Sequence, residues 1–371
     1  MYNHPDSTTF SAADHAYMAQ ALELAEKGLF TATPNPRVGC VLVKNRTVIA
    51  RGWHERAGEA HAEVHALEEG GEKARGATAY VTLEPCAHFG RTPPCADALI
   101  AAGISRVVVA MQDPNPAVAG RGLEKLRAAG IAVSCGLFAE EAQELNIGFI
   151  ARMTRNRPWV RLKAAATLDG KTALENGVSQ WISGDAARAD GHRWRARACA
   201  ILTGIGTVKA DDPELSVREY YCERQPLRIV LDPELEIPPS ARILQSAPVL
   251  IVTAEVHDSE RAARLAAAGH RILALPAVNG RIALNALMLE LAKLELNEVH
   301  VEAGNTLNGA LFAAGLVDEL LLYLAPLIVG NAGRGIFDLP ALTSLAGAAR
   351  LAIRECVRVG DDLRVLARPV Q

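Results

Sequence analysis

Apolar residues at helical spacing (Ala16, Ala19, Leu22, Leu24) predict a first helix over 13–27, stopped at Gly28. The next apolar runs are too short for helices, and they alternate with helical stretches. Strands are predicted at Cys40–Val43 and Thr47–Gly52, turned at Lys44-Asn45-Arg46, then a short helix over His61–Glu69 and a strand at Ala77–Leu83. A helix over Ala96–Ala102, strands at Arg106–Ala110 and Ile131–Ser134 on either side of a helix at Gly122–Ala129, and one long closing helix over Ala139–Met153 complete the first half. Thr154-Arg155-Asn156-Arg157-Pro158 is polar and ends in proline, so a domain boundary falls there and divides the chain into 1–156 and 157–371. Beyond it, strands at Trp159–Ala164, Ala200–Leu202, Arg228–Asp232, Val249–Thr253 and Glu319–Ala325 are interleaved with helices, one bearing Arg188, Arg193, Arg195 and Arg197. Such alternation predicts the α/β class in both halves.

Composition adds bounds. At 371 residues the chain exceeds what one core usually serves, which favours two domains. A net charge of −3 lacks the basic excess of a nucleic-acid binder. No apolar run is long enough to span a bilayer and the first thirty residues do not read as a secretion signal, so a cytoplasmic protein without a membrane partner is expected. Seven cysteines at irregular spacing argue for reduced thiols, some of them on metal.

The chemistry concentrates at His61-Ala62-Glu63, Pro85-Cys86 and Cys95. One imidazole and two thiolates form a soft three-ligand set for Zn²⁺ with a fourth position open, the catalytic pattern. Glu63, two residues past the histidine, is the proton carrier. H-x-E followed by P-C and a second Cys is the nucleobase-deaminase signature, with eight residues between the cysteines here where the short form has two. His65 suggests a zincin helix, but position 62 is Ala and the glutamate of that motif is missing. Asn35, between Pro34 and Pro36, reads either as a reader of a base or sugar edge or as a turn residue capping its own backbone. His54 at a strand end reads as a site residue or a surface histidine, and Arg91 in the insert is a cation suited to a substrate phosphate.

In the second half there is no G-x-G-x-x-G. Small residues end a strand at Thr203-Gly204-Ile205-Gly206-Thr207, and Val301-Glu302-Ala303-Gly304-Asn305-Thr306-Leu307 runs from strand through a Gly turn into a helix over Asn308–Ala314. Such a turn is either an anion cradle of backbone N–H groups or an ordinary βα turn.

These residues resemble the bifunctional riboflavin-biosynthesis RibD family. The likeness rests on Pro34-Asn35-Pro36 with Val38-Gly39, His61-Ala62-Glu63-Val64-His65-Ala66, Thr82-Leu83-Glu84-Pro85-Cys86, Gly90-Arg91-Thr92-Pro93-Pro94-Cys95 and Met111-Gln112-Asp113-Pro114-Asn115-Pro116. It continues through Leu168-Asp169-Gly170, Ser179-Gln180-Trp181-Ile182, Ala210-Asp211-Asp212-Pro213 and Val301-Glu302-Ala303-Gly304. The resemblance implies a cytidine-deaminase-like three-layer domain followed by a dihydrofolate-reductase-like α/β domain. It implies zinc-dependent deamination of a diaminopyrimidinone carrying a ribosylamino 5-phosphate chain, then NADPH-dependent reduction of the ribosyl group. By the same resemblance Asn35, His54 and Arg91 line the first substrate pocket. Ala165, Trp181, Thr207, Asp211 and Gly304, Asn305, Thr306, Leu307, Asn308, Gly309 and Ala310 contact NADPH, while Ser179, Arg195, Leu215, Arg218 and Glu302 hold the second substrate. Lys163 and Glu302 are the candidate proton sources for reduction. Asn305 and Pro233 depart from the family pattern, where Pro and Ser are common. The tail from Gly315 onward is read as a homo-oligomer interface. The rival reading keeps the deaminase and makes the second half a non-catalytic binding or dimerisation module.

Overall fold

The structure is a computed structural model that describes residues 10–87, 94–116, 118–254 and 259–370. The chain forms two compact units, Met1–Asn156 and Arg157–Gln371. The first contains α1 (Ala12–Lys27), β1 (Gly39–Lys44), β2 (Thr47–Trp53), α2 (Ala62–Gly70), β3 (Thr78–Val81), α3 (Cys95–Ala101), β4 (Arg106–Val109), α4 (Arg121–Ala128), β5 (Ala132–Cys135), α5 (Ala139–Leu145) and α6 (Ile147–Arg155). Its sheet runs β2-β1-β3-β4-β5, antiparallel across β1 and parallel from β3 to β5.

Two glycines set the layers. A Cβ on Gly39 would stand 1.9 Å from the Ala21 carbonyl oxygen of α1, and one on Gly52 would stand 2.2 Å from the Ala62 carbonyl oxygen of α2. Gly52 pairs with Cys40, the neighbour of Gly39, so the two glycines face opposite sides of the sheet. Helix α1 therefore lies on one face and α2 on the other, which makes three layers. Asp14 fixes the first of these contacts: it closes a capping box with Ser11, accepts 2.8 Å from the Tyr80 hydroxyl and meets Arg106 at 2.7 Å.

The long closing helix expected over Ala139–Met153 is instead two helices, broken at Asn146 (φ −108°, ψ 18°). The physical reason is a side chain acting as a strand partner. The Asn146 carbonyl oxygen accepts from Arg37 N–H at 2.8 Å, and its amide donates to the Arg37 carbonyl at 2.9 Å. The loop holding Asn35 is pinned by this pair.

The second unit contains β6 (Trp159–Thr167), β7 (Lys171–Ala173), α7 (Asp185–Arg197), β8 (Ala200–Gly204), α8 (Ile205–Asp211), β9 (Leu227–Leu231), β10 (Val249–Thr253), α9 (Ser259–Ala267), β11 (Arg271–Ala274), β12 (Ala277–Val278), β13 (Arg281–Ile282), α10 (Leu284–Lys293), β14 (Glu298–Val301), α11 (Asn305–Ala313), β15 (Glu319–Ala325), β16 (Arg334–Gly335), β17 (Leu351–Val359) and β18 (Asp362–Pro369). The main sheet runs β11-β10-β9-β8-β14-β6-β15-β18-β17, parallel from β11 to β15 and closed by the antiparallel β18-β17 pair. Buried Arg161 of β6 clamps three adjacent strands, reaching Glu298 of β14 at 3.0 Å and Glu319 of β15 at 2.5 Å. Among the described residues no helix is long and apolar enough to cross a membrane.

The Gly52 contact predicts a packing penalty. Gly52→Ala drives a methyl into the α2 backbone and is expected to destabilise the first unit by about 1–3 kcal/mol, the usual cost of overpacking. Calorimetric unfolding checks this, and an unchanged midpoint would mean that α2 has room to retreat.

Candidate active sites

In the first unit, β2 ends at Trp53, and the chain returns through Ala60 to His61, the N-cap of α2 rather than a residue of its first turn. At the N-cap the backbone is extended (φ −77°, ψ 163°), and the ring makes no capping bond. It turns to sulfur instead: His61 Nδ1 lies 3.0 Å from Cys95 Sγ and 3.7 Å from Cys86 Sγ. The three donor atoms lie within 4.8 Å of one another. Cys95 opens α3, and its N–H points at Cys86 Sγ at 3.3 Å. The Cys95 thiol's hydrogen bond, with help from His61, holds Cys86 down to about 4, so a thiolate stands ready in the set. The same bond, with burial, pushes the Cys95 thiol up. One imidazole and two sulfurs converging on one point fit Zn²⁺ by number and by softness.

Cys86 is aimed by a residue whose role the sequence does not announce. Buried Glu84 accepts the backbone N–H groups of Asp113, Gly120, Gly122 and Leu123 at 2.8–3.3 Å, tying the start of α4 to the end of β3. Glu63 is buried behind the donors, and its carboxyl is pushed up to about 7, burial outweighing the His61 charge that pulls the other way. His54 Nδ1 faces the Ala60 carbonyl at 3.1 Å and must carry its proton there, which leaves Nε2 to accept from the Asn35 amide at 3.0 Å. Burial keeps that ring neutral by lowering its pKa. The ring lies edge-on to His61, with centroids 5.4 Å apart. Asn35, His54, His61, Glu63, Cys86 and Cys95 thus share one neighbourhood, while Arg91 lies outside the described residues.

In the second unit a cavity of about 580 Å³ opens where β8, β9 and β14 end. A crevice beyond the carboxyl ends of parallel strands is where such sheets bind ligands. Thr207, Asp211, Gly304, Asn305, Thr306, Leu307 and Ala310 line it, as does Ser179, which meets Asp211 at 3.4 Å. Helix α11 begins at Gly304 without a side-chain cap, and the Gly304 N–H is held by Thr207 Oγ1 at 3.1 Å. Its first turn therefore presents backbone N–H groups to an anion such as a pyrophosphate. Cavity size and cradle fit a dinucleotide.

The strand that leads into this turn carries the charged cluster. Arg195 of α7 grips Glu302 with Nε at 2.5 Å from Oε1 and Nη2 at 2.9 Å from Oε2, and Lys163 Nζ of β6 stands 3.8 Å from Oε2. Burial alone would push the Glu302 carboxyl up, but Arg195 and Lys163 hold it well below the usual carboxylate range. Burial, opposed by Glu302, lowers Lys163. Fully buried His300 lies 3.4 Å from Glu302 and is kept neutral by burial.

Other residues lie elsewhere. Asn308 is buried and donates to the Ala303 and Ile336 carbonyls at 3.2 and 3.1 Å, Gly309 packs against the Asp338 backbone, and neither lines the cavity. Leu215 sits in an apolar core with φ 52°, and Arg218 reaches Glu214 at 3.4 Å. Trp181 is largely exposed beneath Arg188, and Ala165 pairs with Tyr323 along β6. Pro233, Arg281 and Arg334 do line the cavity, and neither arginine carries a sequence signal, since each sits in a two-residue strand far from any motif.

Comparison with known proteins places these sites. Residues 11–111 match the cytidine and deoxycytidylate deaminase zinc-binding region, and residues 158–365 match the RibD C-terminal domain. The chain is 50% identical to riboflavin biosynthesis protein RibD of Escherichia coli (strain K12), over 94% of this chain and 98% of that one. It is 45% identical to the RibD of Aquifex aeolicus, over 94% and 97%. Among solved structures, Acinetobacter baumannii RibD superposes with a TM-score of 0.90 at 42% identity, covering 97% of this chain and 99% of that one. The Thermotoga maritima diaminohydroxyphosphoribosylaminopyrimidine deaminase/5-amino-6-(5-phosphoribosylamino)uracil reductase does so at 0.85 and 33%, covering 96% and 99%. With a three-donor metal set in one unit and a cradle beside a lysine–carboxylate pair in the other, the chain belongs to the RibD family of riboflavin biosynthesis proteins.

Proposed function

We propose that residues 1–156 deaminate 2,5-diamino-6-(5-phosphoribosylamino)pyrimidin-4(3H)-one hydrolytically. Residues 157–371 then reduce 5-amino-6-(5-phosphoribosylamino)uracil, turning the ribosylamino group into ribitylamino with NADPH. The observation that carries the reading is the convergence of His61, Cys86 and Cys95 beside a buried carboxyl. Zn²⁺ held there supplies a Lewis acid and makes water a nucleophile at neutral pH. Glu63 moves two protons: its carboxylate takes one from the attacking water and gives it to the ring nitrogen, then takes the second from the hydroxyl now on the ring carbon and gives it to the departing amine. A burial-raised pKa suits both roles, and a neighbouring dication would pull it down again, toward the base form. Asn35, fixed through neutral His54, orients the pyrimidine edge, and Arg91 is proposed to take the substrate phosphate.

In the second unit NADPH supplies a hydride, and the imine carbon that accepts it must be matched by one proton. Glu302 is ionised under the hold of Arg195 and Lys163, so Lys163 is the group with a proton to give, while Glu302 orients it. A non-catalytic second half has no use for such a pair beside a cradle. Free cysteines agree with a reducing cytosol. Edge strand β17 exposes Ile353, and the preceding segment exposes Leu342 and Leu345, an apolar strip that supports a homo-oligomer.

Four outcomes are expected. Glu63→Gln keeps zinc, measured by metal analysis, but loses ammonia release by roughly 10²-fold or more; undiminished release would remove Glu63 from the mechanism. Lys163→Met abolishes NADPH oxidation with the deaminated substrate and spares deamination. In the unaltered protein, reduction should fall as pH rises through a Lys163 pKa below 10.5, because the proton donor is lost. Ile353→Asp shifts sedimentation toward monomer, and an unshifted profile would exclude this strip as the interface.

A further inference from the structure

The cavity of the second unit contains two arginines that no part of the proposed chemistry uses. Arg334, in β16, borders the β7 side of the lining with Thr172, Ala173 and Gly177. Arg281, in β13, borders the side formed by Leu231, Pro233, Ile282 and Leu284. The sheet order gives these sides different meanings. Glu302 follows β14 and Lys163 lies on β6, so the reacting end of a bound dinucleotide is on the β14–β6 side. Leu231 and Pro233 close β9, two strands away across β8. The far, adenosine end therefore falls beside Arg281.

In doubly wound nucleotide-binding sheets a strand end beyond the pyrophosphate turn reads the adenosine ribose, and β9 ends on that side of the cavity here. An acidic side chain there accepts from a free 2′-hydroxyl, and an arginine receives a 2′-phosphate. The acidic residue is present in this chain but turned away. Asp232 is fully buried, and its carboxylate accepts the Glu236 and Ile237 N–H groups at 2.8 and 2.7 Å, so it serves the following turn and not the cavity. Glu234 does not line the cavity. Among the described residues that line the cavity the one acidic side chain is Asp211, which sits at the end of α8 against Ser179 and not beside Arg281.

Arg281 is held by backbone at that end. Its two-residue strand pairs Val278 with Arg281 across a turn at Asn279 and Gly280, both at positive φ (50° and 72°). Leu275 N–H bonds to the Thr253 carbonyl at 2.9 Å, which anchors the hairpin's entry to the end of β10, and Ala283 N–H bonds to the Pro276 carbonyl at 2.8 Å, which closes its base. Its neighbour Ile282 is buried in the core. Among the described residues nothing forms a hydrogen bond or ion pair with the Arg281 guanidinium, so the charge is available to a ligand.

We infer that Arg281 is the specificity residue that selects NADPH over NADH, binding the 2′-phosphate of the adenosine ribose as a charge-assisted, two-pronged pair. The inference rests on the cavity being the nucleotide site proposed above. Pyrophosphate goes to the start of α11 and the 2′-phosphate to β13, so the two anionic groups are read by separate elements. Arg334, on the opposite side, takes no part in this selection.

The test is a calorimetric titration of the full-length protein with NADP⁺, NAD⁺ and adenosine 2′,5′-bisphosphate, alongside Arg281→Gln, Arg281→Lys and Arg334→Gln. Arg281→Gln should weaken NADP⁺ and the bisphosphate by about tenfold or more and leave NAD⁺ within about twofold, with unchanged thermal unfolding. Arg281→Lys should keep part of the preference, and Arg334→Gln all of it. Equal weakening of NADP⁺ and NAD⁺ by Arg281→Gln, or no weakening of either, overturns the assignment while the nucleotide site stands. A wild-type protein that binds neither nucleotide overturns the reading of the cavity, and this assignment with it.

Discussion

A carboxylate taken out of water must either give up its charge or be met by a cation, and the two units handle buried glutamate in these two ways. Glu63 is buried with too little positive charge beside it, so its pKa rises into the range where it can both accept and release a proton. Glu302 is buried too, yet the Arg195 fork and Lys163 Nζ overcome the desolvation, and it stays ionised. The same side chain is thus able to exchange a proton near neutral pH in one unit and is a fixed anion in the other. What differs is the company it keeps.

Keeping a fixed anion in place takes support from below. On β6, Arg161 and Lys163 are two residues apart, and Glu298 and His300 on β14, with Glu302 just past its end, repeat the same spacing, so each set shares one face of the sheet. That face is covered by α7, whose Trp194 lies 4.6 Å from the Arg161 guanidinium. Arg197, from the same helix, also reaches Glu298, at 2.8 Å. A buried ion network is a poor source of net stability, but removing one partner strands the others without compensation. The charged row therefore enforces strand register at the point where Lys163 and Glu302 must meet.

The parts of this design that were legible in the sequence are those where local chemistry is unusual. A histidine, a glutamate two residues on and two cysteines flanked by prolines have few other uses, and the strand–glycine–helix run at Val301–Leu307 does lead into a cavity lining. The layer order was not legible, because it turns on which helix approaches Gly39 and which Gly52. Nor was the break at Asn146, since its cause lies more than a hundred residues away in Arg37. Arg281 escaped for the same reason: a lone exposed arginine in a short hairpin gains meaning only from the strand ends beside it. The β18-β17 pair at the end of the sheet escaped as well, being mostly exposed along β17 and so without a clean alternation.

The bond between Asn146 and Arg37 has a consequence for what counts as a whole domain. The stretch matching the deaminase zinc-binding region ends at residue 111 and contains every one of the three metal donors. Yet the loop that presents Asn35 owes its backbone pairing to a side chain 35 positions past that end (146 against 111). The stretch that matches the zinc-binding region is therefore shorter than the smallest piece able to hold the Asn35 loop in place. A chain cut after residue 111 would retain the metal donors and lose the brace for the loop that carries Asn35.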